Sequence, residues 1–256
     1  MDKPNVFRTS EFYMSTGDVL HVSIKYADGS DTVDLDLVAG DSGVVGDSTT
    51  RRVVDKDNNI YLTVVIGSQE WIVENLKVTQ YADGSPIANI TDNALWAADT
   101  TGAYCYYNND VANKADYGAL YNWYAVDNAA GLVHLTRNGV YEADWRVPTA
   151  ADWLALVTLL GGNAVAGGKL KSVGYDYFDV PNTGATDEYG FRGRAGGNRG
   201  TTGVFTGLRT NGFHYQSDLS SGNYVSRVLF GAFTSLGSTT ALSGNGGYSV
   251  RLVRDI

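Results

Sequence analysis

From Ala166 to Ile256 the sequence shows no helical period, and that absence sets the folding problem. The stretch is rich in Gly, Ser and Thr, so it has to be built from short strands joined by tight turns. The whole 256-residue chain carries 31 Gly and 17 Tyr against two Met, which suits many short strands and an aromatic surface. Helical patterning is confined upstream. One helix is predicted over about 117–126, with Leu120, Trp123 and Tyr124 on one face. A second is predicted over about 150–160: Thr149 is placed as N-cap with Asp152 three residues on. Trp153, Leu156, Val157 and Leu160 then form an i, i+3, i+4, i+7 stripe, and Gly161-Gly162 ends it. Residues 52–67 read as strand, polar turn, strand. The order of strand pair, two helices and long Gly-rich β-region predicts an α+β domain.

The N-terminal part has a different texture. Residues 1–50 hold nine acids and three bases, which is −6 of the total formal charge of −9. Residues 19–26 and 32–38 alternate apolar and polar on either side of Asp28-Gly29, the pattern of a β-hairpin. Residues 40–50 are small, polar and linker-like, so a small all-β acidic module over 1–50 and a second domain over 52–256 are expected. The negative charge argues against nucleic acid as a partner. No apolar run approaches the roughly 18 residues of a membrane helix, so no membrane insertion is expected. One cysteine, Cys105, excludes internal disulfides and paired-cysteine redox or zinc chemistry.

Four blocks carry a family resemblance: GSQEWIVENLK at 67–77, YNWYAV at 121–126, WRVPT at 145–149 with Trp153 after it, and YSVRLVRD at 248–255. In that order they resemble the Fibrobacter succinogenes major paralogous domain, over about residues 52–256. The resemblance implies a C-type-lectin-like fold, the fold also used by formylglycine-generating enzymes and by the variable proteins of diversity-generating retroelements. Read physically, Trp71, Trp96, Trp123, Trp145 and Trp153 are core anchors, each large ring needing one partner for its N–H. Glu74 and Asn75 are expected to bond backbone near a turn, and Arg251 and Arg254 to pair with carboxylates or carbonyls beside the last strand.

The chain departs from the family pattern in two places. Residues 212–218 (GFHYQSD) stand where relatives carry an aromatic-rich stretch, and the small polar run 231–245 precedes the closing block. Residues 201–248 contain three formal charges, Arg209, Asp218 and Arg227, and 26 of their 48 residues are Gly, Ser, Thr or Asn. Small polar residues with interspersed rings resemble a paratope, although Gly/Ser-rich turns without a ligand have the same composition. As a binding face the segment offers Phe213, His214, Tyr215, Tyr224 and Phe233 as ring anchors. Arg209, Asn211, Asp218, Arg227 and Asn245 would supply directional hydrogen bonds, and Leu229, Leu236 and Leu242 are ambiguous between face and core. Retroelement diversification of Asn codons cannot yield Lys, Glu, Gln, Met or Trp, and 231–245 contains none of these.

Catalysis finds little support. Formylglycine-generating chemistry needs a cysteine pair, and Cys105 has no base beside it in sequence. His21, His134 and His214 are far apart, with no metal-ligand spacing. The Gly-rich AGGKLK at 166–171 lacks the Lys-Ser/Thr pair of a phosphate loop. Asp55-x-Asp57-x-Asn59 opens like a calcium loop, but no Glu follows at the twelfth position, and a hairpin turn explains it better. No catalytic residue, metal or cofactor is expected.

These readings lead to the expectation of a non-enzymatic ligand-display protein that recognises a host surface protein or glycan. The opening MDKPNVFRTS has no apolar stretch of a secretory signal. A phage virion protein, on tail or head surface and released by lysis from a Bacteroidetes-like host, would account for that. Residues 1–50 would dock to other virion proteins, and a homo-oligomer is expected. A bacterial cell-surface adhesin, a decoration protein without receptor, and an enzyme on the same fold remain as alternatives.

Overall fold

Alternating residues on either side of positions 28–29 pair as a hairpin requires. β1 (Val19–Lys25) and β2 (Thr32–Val38) are antiparallel, with Val19 opposite Val38 and Lys25 opposite Thr32. The computed structural model describes these two strands and residues 52–256 except residue 242. The expected Asp28-Gly29 turn, the linker at 40–50 and Leu242 lie outside the described residues. The chain divides into two units between Arg51 and Arg52.

The second unit is a mixed α+β fold, mostly β. In chain order it runs β3 (Arg52–Val54), β4 (Ile60–Ile66), β5 (Gln69–Ile72), β6 (Ala88–Asn89), α1 (Asn93–Ala98), β7 (Ala103–Cys105), α2 (Asn113–Tyr117), β8 (Leu120–Tyr121), α3 (Trp123–Val126), β9 (Leu135–Arg137), β10 (Val140–Glu142), α4 (Ala150–Leu159), α5 (Asn163–Leu170), β11 (Gly196–Arg199), β12 (Phe205–Leu208), β13 (Asn211–Tyr215), β14 (Tyr224–Phe230), β15 (Leu236–Ala241) and β16 (Val253–Asp255). One sheet has the order β10-β9-β3-β4-β5-β16, a second β12-β11-β13-β14-β15, and a small third β6-β7-β8. Val253 of β16 lies opposite Trp71 of β5, so the two ends of the unit share a sheet.

Helix α4 forms where its signals lie. Thr149 Oγ1 accepts from the Asp152 N–H at 3.1 Å, and the Asp152 carboxylate accepts from the Thr149 N–H at 2.8 Å. Trp153, Leu156, Val157 and Leu160 are buried, and the Trp153 ring sits 5.1 Å from that of Trp71. Gly161 and Gly162, at φ 94° and 96°, then turn the chain through 88° into α5. All five tryptophans are buried. Trp71, Trp96 and Trp145 donate to Gln69 Oε1, the Asn245 carbonyl and Glu142 Oε2, while the Trp153 N–H is buried without a partner.

Two helical expectations are corrected. No single helix covers 117–126: Gly118, at φ 72°, ends α2. A Cβ there would meet the Leu76 carbonyl at 2.8 Å. The chain then extends as β8 against β7, and Asn122 caps the short α3 by accepting from Ala125 N–H at 3.0 Å. Conversely α5 forms where no helical period is legible. Its Gly167-Gly168 pair lets the helix press against the 231–235 segment, where a Cβ on Gly167 would sit 2.2 Å from the Ser235 carbonyl oxygen. Gly168 N–H donates to the Thr234 carbonyl at 2.7 Å.

The closing block locks the core. Wholly buried Arg251 donates to Asn75 Oδ1 and to the carbonyls of Ile72, Phe191 and Arg192. Arg254 reaches Glu70 at 2.6 Å and Glu142 at 3.2 Å. Glu74 accepts from the Leu62 N–H at 3.0 Å. Both arginines and the Glu74-Asn75 pair therefore do what their sequence positions suggest.

Candidate functional site

Strand register decides which of the expected site residues can share a surface. Successive side chains on a strand face opposite sides of the sheet. His214 lies opposite Arg227, and Arg227 opposite Ser238, so these three share one face. Tyr215 lies opposite Ser226, Phe213 opposite Val228 and Tyr224 opposite Ala241. Asn211, Phe213, Tyr215 and Tyr224 therefore share the other face. The ten residues cannot form one patch.

Three of them are core residues. Tyr215 is 0 % exposed, wedged against Trp123 and Tyr248, and its hydroxyl donates to the Gly246 carbonyl at 2.6 Å. His214, also 0 % exposed, meets Asn75 Oδ1 at 3.2 Å, and burial ahead of the nearby Arg251 charge pulls its pKa down to about 3. Buried Asn245 donates to the carbonyls of Trp96 and Asp99. Aromatic and amide residues in turn-rich sequence read as contact groups, but here they close the core.

The others do not share one patch. Arg209 clamps the 175–179 segment, donating to Asp179 and to the carbonyls of Tyr175 and Asp176. Half-buried Phe213 stacks on Tyr248 at 5.7 Å, and half-buried Tyr224 packs on Trp123 at 5.2 Å. Phe233 is 58 % exposed, edge-on to Phe230. Asn211 is half-buried on the Phe213 face. Of the ambiguous leucines, Leu229 and Leu236 are buried in the core.

Phe213, Tyr215 and Tyr224 meet through Trp123 and Tyr248 on one face; of the polar candidates, Asp218 and Arg227 come together. They line an open cavity of about 290 Å³ between the start of α4 and the ends of β13, β14 and β15, with Gln216, Ser220, Ser238 and Thr240. Leu219 and Val225 give it apolar wall, and Ala150 closes it at the helix N-terminus. Asp218 accepts from the Ala150 N–H at 2.6 Å, placing a carboxylate where the helix dipole favours one. The half-buried Arg227 donates from Nε and Nη2 to Gln216 Oε1 at 3.2 and 2.8 Å. Gln216 in turn donates to the Asp218 carbonyl at 3.2 Å. Arg227 has no carboxylate partner and no partner for Nη1 among the described residues. Burial lowers its pKa. Gln216, Ser238 and Thr240 escape sequence reading because their shared face follows from the pairing with Arg227.

Cys105 and the Asp55–Asn59 turn have structural surroundings. Burial raises the Cys105 thiol to about 12 despite Arg199 nearby, so it holds its proton. The Asp55 carboxylate accepts from the N–H groups of Asp57 and Asn59 and from the Tyr61 hydroxyl, as a hairpin turn requires. Asp57 is taken up by Thr79 and Gln80. No single helix among the described residues is long and apolar enough to cross a membrane.

A family model described as the Fibrobacter succinogenes major domain matches residues 64–254. No curated protein and no solved structure matches the chain.

Proposed function

The chain belongs to the Fibrobacter succinogenes major domain family, and we propose that it is a non-enzymatic ligand-display protein with a C-type-lectin-like second unit. Its receptor site is the Arg227 pocket. The observation that carries this reading is a convergence. Gln216 and Asp218 come from one stretch that departs from the family pattern, Ser238 and Thr240 from the other, and both stretches reach the same cavity. A chain whose unusual segments served only as turns would have no reason to bring them to one concave, polar surface with one edge of a guanidinium free of protein partners. Segment 231–245, which supplies Ser238 and Thr240, is also where retroelement diversification would act. The acidic residues 1–50 attach the protein to a phage particle, and the pocket faces a host-surface protein or glycan.

The test uses the labelled full chain on intact Bacteroidetes-type cells. Saturable binding is expected, with loss in the double variant S238W/T240W, which fills the cavity from its exposed strand. Its melting temperature should stay near the parent's, since both positions are at the surface. Undiminished cell binding by the filled variant overturns the assignment of the receptor site. Absence of saturable binding by the parent across host strains overturns the display function.

A further inference from the structure

We propose that the Arg227 pocket takes the carboxylate of a single acidic sugar ring, a uronate-type unit of a surface glycan; this rests on reading the pocket as the receptor site. The guanidinium has five N–H donors in a planar fork. Gln216 Oε1 takes the side formed by Nε and Nη2. Left over is the opposite end, where Nη1 and the second hydrogen of Nη2 stand parallel. That end matches the two oxygens of one carboxylate, and such paired, charge-assisted bonds combine strength with orientation. Gln216 also holds the fork in place, so little freedom is lost on binding.

The rest of the pocket fits a hydroxylated ring. Ser220, Ser238 and Thr240 offer hydroxyls that donate or accept, and the Asp218 carboxylate accepts from a sugar hydroxyl with the capacity Ala150 leaves over. Leu219 and Val225 supply apolar surface for the C–H face of a ring. A cavity of about 290 Å³ is at the small end of ligand pockets, roughly 300–1,000 Å³, and suits one ring rather than a chain of them. Charge selects the acid. Arg227 is the one cation and Asp218 the one carboxylate among the lining residues. A singly charged carboxylate balances Arg227, whereas the second charge of a phosphate would face Asp218 without a counter-ion.

The experiment is a titration of the full chain with methyl glucuronide and methyl galacturonide, followed by calorimetry or protein NMR. Each is compared with its methyl ester, the neutral glycoside and inorganic phosphate. At least one free acid should bind saturably and at least tenfold more tightly than its ester and the neutral sugar. R227Q should lose at least tenfold and R227K should recover only part, because an ammonium cannot bond both oxygens in one plane. Equal affinity for acid and ester, phosphate bound more tightly than either acid, or an R227Q variant as good as the parent each overturns the acidic-sugar assignment. Cell binding that is lost in S238W/T240W while no acid binds also overturns it, but leaves the receptor site standing.

Discussion

The Nε of Arg251 donates to Oδ1 of Asn75 at 2.9 Å, joining the closing block of the domain to its opening block across 176 residues of chain. The same Asn75 donates to the Tyr117 carbonyl and to Ser249 Oγ, and its Oδ1 lies 3.2 Å from His214 Nε2. Asn75 therefore ties the chain after the first sheet's β5, the end of α2, strand β13 and the C-terminal block together. A buried polar hub of this kind loses stability with each further member left unsatisfied, and His214 Nδ1 is already buried without a partner.

Removing the hub's cation tests that statement. Arg251→Met keeps most of the volume but strips hydrogen bonds from Asn75, Ile72, Phe191 and Arg192. Orphaned buried acceptors of this sort should lower stability by about 3–5 kcal/mol. Urea unfolding is expected to show an earlier midpoint with unchanged slope. Arg251→Lys should restore only a minor part, since one ammonium cannot reach all four acceptors.

Acid sensitivity is the second expectation. His214 has its folded pKa pulled down to about 3 by burial and then by Arg251, while an unfolded histidine titrates near 6.5. Between those values the unfolded chain binds the additional proton, so stability rises with pH there. The contribution is complete above about pH 6.5 and is lost as the pH falls toward 3. His214→Gln should flatten the stability curve across that window relative to the parent. Two curves of equal slope would mean that His214 does not change its protonation on unfolding.

Tyr215 and Phe233 should behave oppositely. Tyr215→Ala empties a wholly buried site beside Trp123 and removes the bond to Gly246, at a cost of about 3–5 kcal/mol. Phe233→Ala removes a ring that is 58 % exposed and should stay within about 1 kcal/mol. Thermal melts of the two variants compare them directly.

Gly167 gives a test of sign. In an ordinary helix, Gly→Ala gains about 0.5–1 kcal/mol. Here the added Cβ would meet backbone of Ser235 at 2.2 Å and Leu236 at 2.9 Å, atoms that cannot swing aside. Gly167→Ala should instead destabilise by about 1–3 kcal/mol. Because β15 carries Ser238 and Thr240, it should also disturb the pocket. A more stable Gly167→Ala protein would show that the α5–β15 approach is looser than described.

Local signals were legible where local physics decides. The cap, stripe and stop of α4 all act within a dozen residues, and the five tryptophans have too much apolar area to sit outside. The 117–126 helix misled because the apolar spacing of Leu120, Trp123 and Tyr124 satisfies a helix, yet Gly118 must pass against Asn75 from another part of the chain. Helix α5 was invisible because glycines that signal a turn in isolation here permit close packing. In the site, Asp218 and Arg227 stood out as two of three charges in a neutral region. His214, Tyr215 and Asn245 were indistinguishable from contact residues until the pairing of β13 with β14 and the path of 243–249 assigned them inward.

The register of β13, β14 and β15 also constrains how such a surface can change over generations. Gln216, Val225, Arg227, Ser238 and Thr240 line one cavity through three strands in step. Insertion or loss of one residue within β14 would exchange its two faces, carrying Arg227 into the aromatic core and Val228 into the cavity. Substitution at the exposed Ser238 and Thr240 leaves that register intact, whereas a change of chain length within β14 does not.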